Sequence, residues 1–134
     1  MSAVIIDGTR IAQDVRNEVG QGVAALQAQH GIVPGLAAVL VGEDPASAVY
    51  VRNKGRAATE AGILARDVHL SVQTTQSELL DAVDTLNRDA QIHGLIVQLP
   101  LPDHIDEDAV VAAIDPRKDV DGLHPENVGR LVAG

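Results

Sequence analysis

Seven residues without a polar side chain, Gly35-Leu36-Ala37-Ala38-Val39-Leu40-Val41, are followed almost at once by Asp44-Pro45. A continuous apolar run of this kind is a strand covered on both faces, as central strands of parallel sheets are. Asp suits a helix N-cap and Pro the first helical turn, so a helix over Pro45–Ala61 opens directly after the strand, with Gly62 ending it. Other segments share this rhythm. Leu95-Ile96-Val97 reads as a third buried strand, and Ala65–Leu70 as a second, more polar one nearer an edge. Thr75 and Glu78 form a capping-box pattern, opening a helix with Leu79, Leu80, Val83 and Leu86 on one face. Upstream, Val4-Ile5-Ile6 reads as a short strand closed by Asp7-Gly8. Thr9 then caps a helix with the stripe Ile11, Val15, Val19, Val23 and Leu26, stopped by Gly31. Downstream come a helix over Asp106–Ile114 before Pro116, a short extended piece at Val120, and a helical turn or two over Glu126–Leu131. Alternating strands and helices without hairpin signals predict an α/β fold: a three-layer domain whose mostly parallel central sheet is flanked by helices, one domain over residues 1–134.

Composition narrows the partners. A formal charge of -9 argues against nucleic acid and anionic membrane, which both call for basic patches. No apolar run reaches membrane length and no leader precedes the first element, so the expectation is a soluble cytoplasmic protein. The absence of cysteine excludes disulfides and thiolate metal sites. The five histidines (His30, His69, His93, His104 and His124) show no ligand spacing, so no metal site is expected. With one Tyr and no Phe or Trp, base-stacking platforms are unavailable.

The chemistry gathers in three segments. Tyr50 and Lys54, four residues apart, share a helix face at the carboxyl edge of the sheet, where open α/β proteins bind ligands. Val97-Gln98-Leu99-Pro100-Leu101-Pro102 follows a buried strand and ends at the same edge; its prolines make it a shaped loop. The third, Pro116-Arg117-Lys118-Asp119-Val120-Asp121-Gly122-Leu123-His124, carries two carboxylates that also suit turns; of these, Asp119 reads as structural. Lys54 is expected to line the largest polar-floored cleft, its amine within hydrogen-bond range of Gln98. A Gly20-Gln21-Gly22-Val23-Ala24-Ala25 string matches a dinucleotide fingerprint, but its glycines fall inside a helical stripe rather than after a strand, and it is rejected.

Together these motifs (Tyr-x-x-x-Lys, Val-Gln-Leu-Pro and Lys-Asp-Val-Asp-Gly) closely resemble those of the bifunctional methylenetetrahydrofolate dehydrogenase/methenyltetrahydrofolate cyclohydrolase family. The likeness runs from Ile11 to Leu131. It implies oxidation of 5,10-methylenetetrahydrofolate with NADP and hydrolysis of the methenyl product to 10-formyltetrahydrofolate. In that scheme Lys54 is the catalytic acid/base, which calls for burial that lowers its pKa. Gln98 is the catalytic amide beside it, Tyr50 lies against the substrate's aromatic ring, and Asp121 binds the pterin. Ser47, Pro100 and Pro102 are implied to line the folate pocket. The family's NADP-binding Rossmann domain and its returning final helix have no counterpart in these residues. No cofactor is therefore expected to bind this chain, and an exposed apolar patch is expected where that helix would pack. The family is typically a homodimer. The rival readings are a non-catalytic folate-binding or interaction module and an excised domain without activity.

Overall fold

A computed structural model describes residues 5–134. The elements are α1 (Gly8–His30), β1 (Gly35–Val41), α2 (Pro45–Glu60), β2 (Leu64–Leu70), α3 (Gln76–Arg88), β3 (Gly94–Val97), α4 (Glu107–Ala113) and α5 (Pro125–Ala133). The three strands form a parallel sheet in the order β2-β1-β3. β1 is central, as its unbroken apolar run requires. Successive side chains of a strand point to opposite faces, and β1 divides accordingly. Ala37, Val39 and Val41 pack with Leu79, Val83, Val97 and Val110, on the side of α3 and α4. Ala38 and Leu40 face α2 through Val51. Helices therefore cover both faces, the layering that the strand and helix alternation predicts.

Local chemistry sets the element ends. Asp44 caps α2 by accepting the Ser47 N–H at 2.7 Å. The Thr75 and Glu78 capping box opens α3 as expected. Gly42, at a φ of 84°, takes a conformation that side chains resist and turns the chain out of β1, donating its N–H to Leu70 O.

Two expectations at the amino-terminal end change. Val4 lies outside the described residues, and Ile5 and Ile6 belong to no strand. Asp7, not Thr9, caps α1: its carboxylate accepts the Arg10 N–H at 3.1 Å, so winding begins early enough to take Thr9 into the first turn. The α1 stripe is also less buried than its periodicity implies. Val23 is buried, whereas Ile11, Val15 and Val19 stand exposed. The helix meets the body through its second half, where Gly20 lies near Ala61 and Val23 near Gly62.

Gly35 explains how β1 reaches the amino edge of β3. A Cβ there would sit 1.9 Å from the Gln91 carbonyl oxygen. The glycine N–H donates to His93 Nδ1 at 3.0 Å, and its carbonyl accepts the His93 N–H at 2.8 Å. Gly35→Ala is expected to destabilise the fold by about 3 kcal/mol, the upper range of overpacking. Gly22→Ala, at a helical site with nothing within 4 Å of the added carbon, should stabilise by about 0.5–1 kcal/mol. Urea unfolding of both variants checks the pair; equal, small changes would contradict the close approach at Gly35.

Candidate active site

α2 starts at the carboxyl end of β1, and its buried stripe of Ser47, Val51 and Ala58 faces the sheet. Tyr50 and Lys54 sit on the flank of that stripe. Lys54 is half-buried and its Nζ donates to Gln98 Oε1 at 3.1 Å. The Gln98 backbone N–H donates to Val39 O at 2.8 Å, which places the glutamine over the end of the central strand. Its amide NH2 donates to Leu99 O at 2.9 Å. With the NH2 committed there, the carbonyl oxygen is left to face the lysine, which settles the orientation of an otherwise ambiguous amide. An acceptor without charge holds either an ammonium or a neutral amine. Beyond Gln98 the Leu99–Pro100 peptide is cis, and Leu101 donates its N–H to Glu107 Oε2 at 2.7 Å, tying the proline loop to α4.

The third segment comes alongside β3. Leu95 forms a parallel bridge with Asp119 and donates its N–H to Lys118 O at 2.7 Å. Because the bridge is parallel, Val120 and Asp121 run on toward the sheet's carboxyl edge, the edge that carries Lys54 and Gln98. Lys118 donates through Nζ to Asp89 O and Leu86 O at 2.9 and 3.2 Å, so its charge meets the carboxyl end of α3, where cations are favoured. Asn87 donates to Ala113 O at 2.8 Å and accepts the Asp115 N–H at 2.9 Å, joining α3 to the end of α4. These clamps were not singled out from sequence; they link positions about thirty residues apart, and no local spacing announces them.

The expected site residues differ in burial. Tyr50 is 60% exposed, Asp121 and Pro100 are exposed, and Pro102 is half-buried. Ser47, expected on the pocket wall, is only 3% exposed: it shares its face with Val51, four residues on, and looks toward the sheet. Lys54 lines neither of two sizeable concavities of the described residues. These are lined by other residues: one of about 590 Å³ between α1 and the end of α2, beside Arg16, Gln21 and Glu60, and one of about 600 Å³ beside Glu43, His69 and Ser71. Lys54 and Gln98 stand on an open shelf, since Tyr50 on the same helix and Pro100 of the same loop are exposed.

The helix starts of the described residues carry no dinucleotide fingerprint. Pyrophosphates are seated by free N–H groups at helix starts. Here Asp7, Asp44, Thr75, Asp106 and His124 cap the starts of α1 to α5 with their own side chains. Gly20-Gln21-Gly22 lies within α1. Among the described residues, no group of three or more His, Asp or Glu is placed to hold a metal, and no helix is long and apolar enough to cross a membrane.

Comparison with known proteins agrees with the fold. A family profile described as "Tetrahydrofolate dehydrogenase/cyclohydrolase, catalytic domain" matches residues 6–121. "Bifunctional protein FolD" of Moorella thermoacetica is 59% identical over 134 residues, which is 100% of this chain and 48% of that protein. "Bifunctional protein FolD 1/3" of Ruegeria pomeroyi is 54% identical over 134 residues, 100% of this chain and 45% of that protein. Among solved structures, a Trypanosoma brucei methylenetetrahydrofolate dehydrogenase-cyclohydrolase complexed with NADP cofactor and inhibitor superposes with a TM-score of 0.93. Its identity is 41%, over 98% of this chain and 45% of that one. A silkworm 5,10-methylenetetrahydrofolate dehydrogenase gives a TM-score of 0.95 at 40% identity, over 98% of this chain and 46% of its own. The chain thus spans about half the length of the proteins it matches.

Three carboxyls in and beside the third segment are held charged by their partners. The Arg117 guanidinium, followed by the Arg117 N–H, holds the Asp115 carboxyl at about 2. Burial works against the charge of Asp119, but Asn127 and three backbone N–H groups outweigh it and hold its pKa below the ordinary value. The Gln91 N–H and then Arg66 depress Asp89. A carboxyl with a depressed folded pKa stabilises the fold above its unfolded value, about 3.9 for Asp, and that contribution is lost as pH falls through the folded value. The urea midpoint is therefore expected to hold steady down to about pH 5, then to fall from about pH 4 toward 2. A midpoint that rose in that window would contradict these assignments.

Proposed function

This chain belongs to the tetrahydrofolate dehydrogenase/cyclohydrolase family, whose catalytic-domain profile matches residues 6–121, and on that premise we propose that it holds a folate and supplies the lysine of one-carbon interconversion. The observation that carries this is the hydrogen bond of 3.1 Å from Lys54 Nζ to Gln98 Oε1, at the carboxyl edge of the sheet. The pterin's amino and ring N–H groups meet the Asp121 carboxylate, a pairing suited to a two-oxygen acceptor. The aminobenzoyl ring lies against Tyr50, and the proline loop flanks the folate. This places the carbon bridging N5 and N10 near Lys54.

Hydrolysis of the methenyl compound then needs only groups of this chain. A neutral Lys54 amine takes a proton from water as the oxygen adds to the bridging carbon. The resulting carbinolamine loses the proton of its hydroxyl to solvent as its bond to N5 breaks, and Lys54 returns its proton to N5. The products are 10-formyltetrahydrofolate and one proton. Gln98 serves by holding the amine with an acceptor that leaves it free to change charge. In the dehydrogenase reaction of the whole protein, Lys54 and Asp121 orient the folate, and NADP, when bound, supplies the hydride acceptor. The residues of this chain do not seat that cofactor. Cytoplasmic location and assembly as a homodimer belong to the same reading.

Lys54→Met should reduce hydrolysis of methenyltetrahydrofolate by about 10²–10⁴-fold, the usual worth of a positioned acid/base, with folate affinity changed less than about threefold. Equal losses of binding and turnover would make Lys54 a binding residue instead. Gln98→Glu should act differently. A carboxylate beside the amine favours its charged form, so the rising limb of the rate against pH should move to higher pH. An unmoved profile would show that the amide's neutrality is irrelevant.

A further inference from the structure

The third segment contains a device that the catalytic reading leaves unused. Asp119 Oδ1 accepts the N–H groups of Gly122 at 3.0 Å and Leu123 at 3.3 Å, and Oδ2 accepts those of His124 at 2.9 Å and of the Asn127 side chain at 2.8 Å. A carboxylate has about four lone-pair directions, and here all are taken. Asn127 also donates to Pro116 O at 2.9 Å, closing the loop on the residues before it. Gly122, at a φ of 70°, lets successive N–H groups turn inward, the arrangement in which backbone amides cradle an anion. The loop is held against the sheet by the Leu95 bridge and by the bare face of Gly94, where a Cβ would sit 2.7 Å from Val120 Cγ1.

Between the anchor at Asp119 and the cradled N–H of Gly122 lies Asp121, exposed and attached to a peptide whose direction is fixed on both sides. We propose that Asp119 is the positioning residue for folate recognition, its carboxylate folding residues 119–124 around itself so that Asp121 is presented to the pterin in one orientation. The proposal rests on the reading that Asp121 receives the pterin's donors. Its chemistry demands an acid. An amide at position 119 would offer an NH2 group to donors on one side, replacing attraction with repulsion, while occupying the same volume.

The test is a double-mutant cycle on the 134-residue chain, read by calorimetry with folic acid and with 2-desaminofolic acid, which lacks the exocyclic amine. Residues that act through one another are non-additive. Asp121→Ala should weaken folic acid about tenfold or more, the loss of a hydrogen bond to a charged group. Asp119→Asn should weaken it about five- to tenfold, accelerate amide exchange at Gly122, Leu123 and His124, and add less than about twofold in the Asp121→Ala background. On 2-desaminofolic acid, which keeps only the ring N–H for Asp121, Asp119→Asn should cost clearly less, about twofold. If Asp121→Ala leaves affinity unchanged, the reading of Asp121 falls and the proposal with it. If Asp121→Ala weakens binding while Asp119→Asn does not, or costs the same in both backgrounds and on both probes, the proposal alone is overturned. Should Asp119→Asn fail to fold, Asn127→Ala carries the same test, removing one donor and leaving the acid. It should cost about threefold on folic acid, the scale of one modest hydrogen bond, and less on the 2-desamino probe; equal losses on both overturn the proposal.

Discussion

The Gln98 N–H donates to the Val39 carbonyl at 2.8 Å, joining β3 to β1 where β3 gives way to the proline loop. The site depends on that pairing. It sets Gln98 above the end of the central strand, and the turn at Gly42 sends α2 away from the same end, so Lys54 comes back to meet the amide at 3.1 Å. Neither side chain could reach the other if the strands slipped, since moving a strand by one residue sends its side chains to the opposite face. Register, in turn, is held by the alternation of Ala37, Val39 and Val41 into one core and Ala38 and Leu40 into the other. The chemistry is thus a consequence of how β1 is buried.

Buried strands and capped helices were legible because their causes are local. Apolar runs mark β1 and β3, and the Thr75–Glu78 box announces the start of α3. Lys54 and Gln98 could be paired from sequence, since each follows a strand that ends at one edge. The start of α1 was misjudged because Asp7 and Thr9 are both good caps, and sequence alone does not say which reaches the third N–H. Ser47 was misplaced by a finer margin: positions three and four apart are both neighbours on a helix, and here Val51, not Tyr50, shares its direction. The open shelf at Lys54 was missed for another reason, since the walls of a cleft are set by side chains that periodicity does not orient.

The Lys-Asp-Val-Asp-Gly motif shows how a conspicuous string can serve two purposes. Lys118 secures the end of α3 and Asp119 gathers the loop, whereas Asp121 is exposed and available. The hydrogen bonds to Asp119 agree with reading it as structural and give the mechanism that sequence does not. Asn87, Asn127 and Glu107 carry much of the positioning, and each acts on a backbone group that nothing in its immediate neighbourhood identifies.

The account's central claim is that folate lies on the shelf between Tyr50, Lys54 and Asp121. The most direct measurement is a residue-resolved NMR titration of the 134-residue chain with folic acid. Shift changes centred on Tyr50, Lys54, Gln98 and residues 119–122 are the predicted result. Changes confined to the groove between α1 and α2, around Arg16, Gln21 and Glu60, with the shelf unmoved, would contradict it.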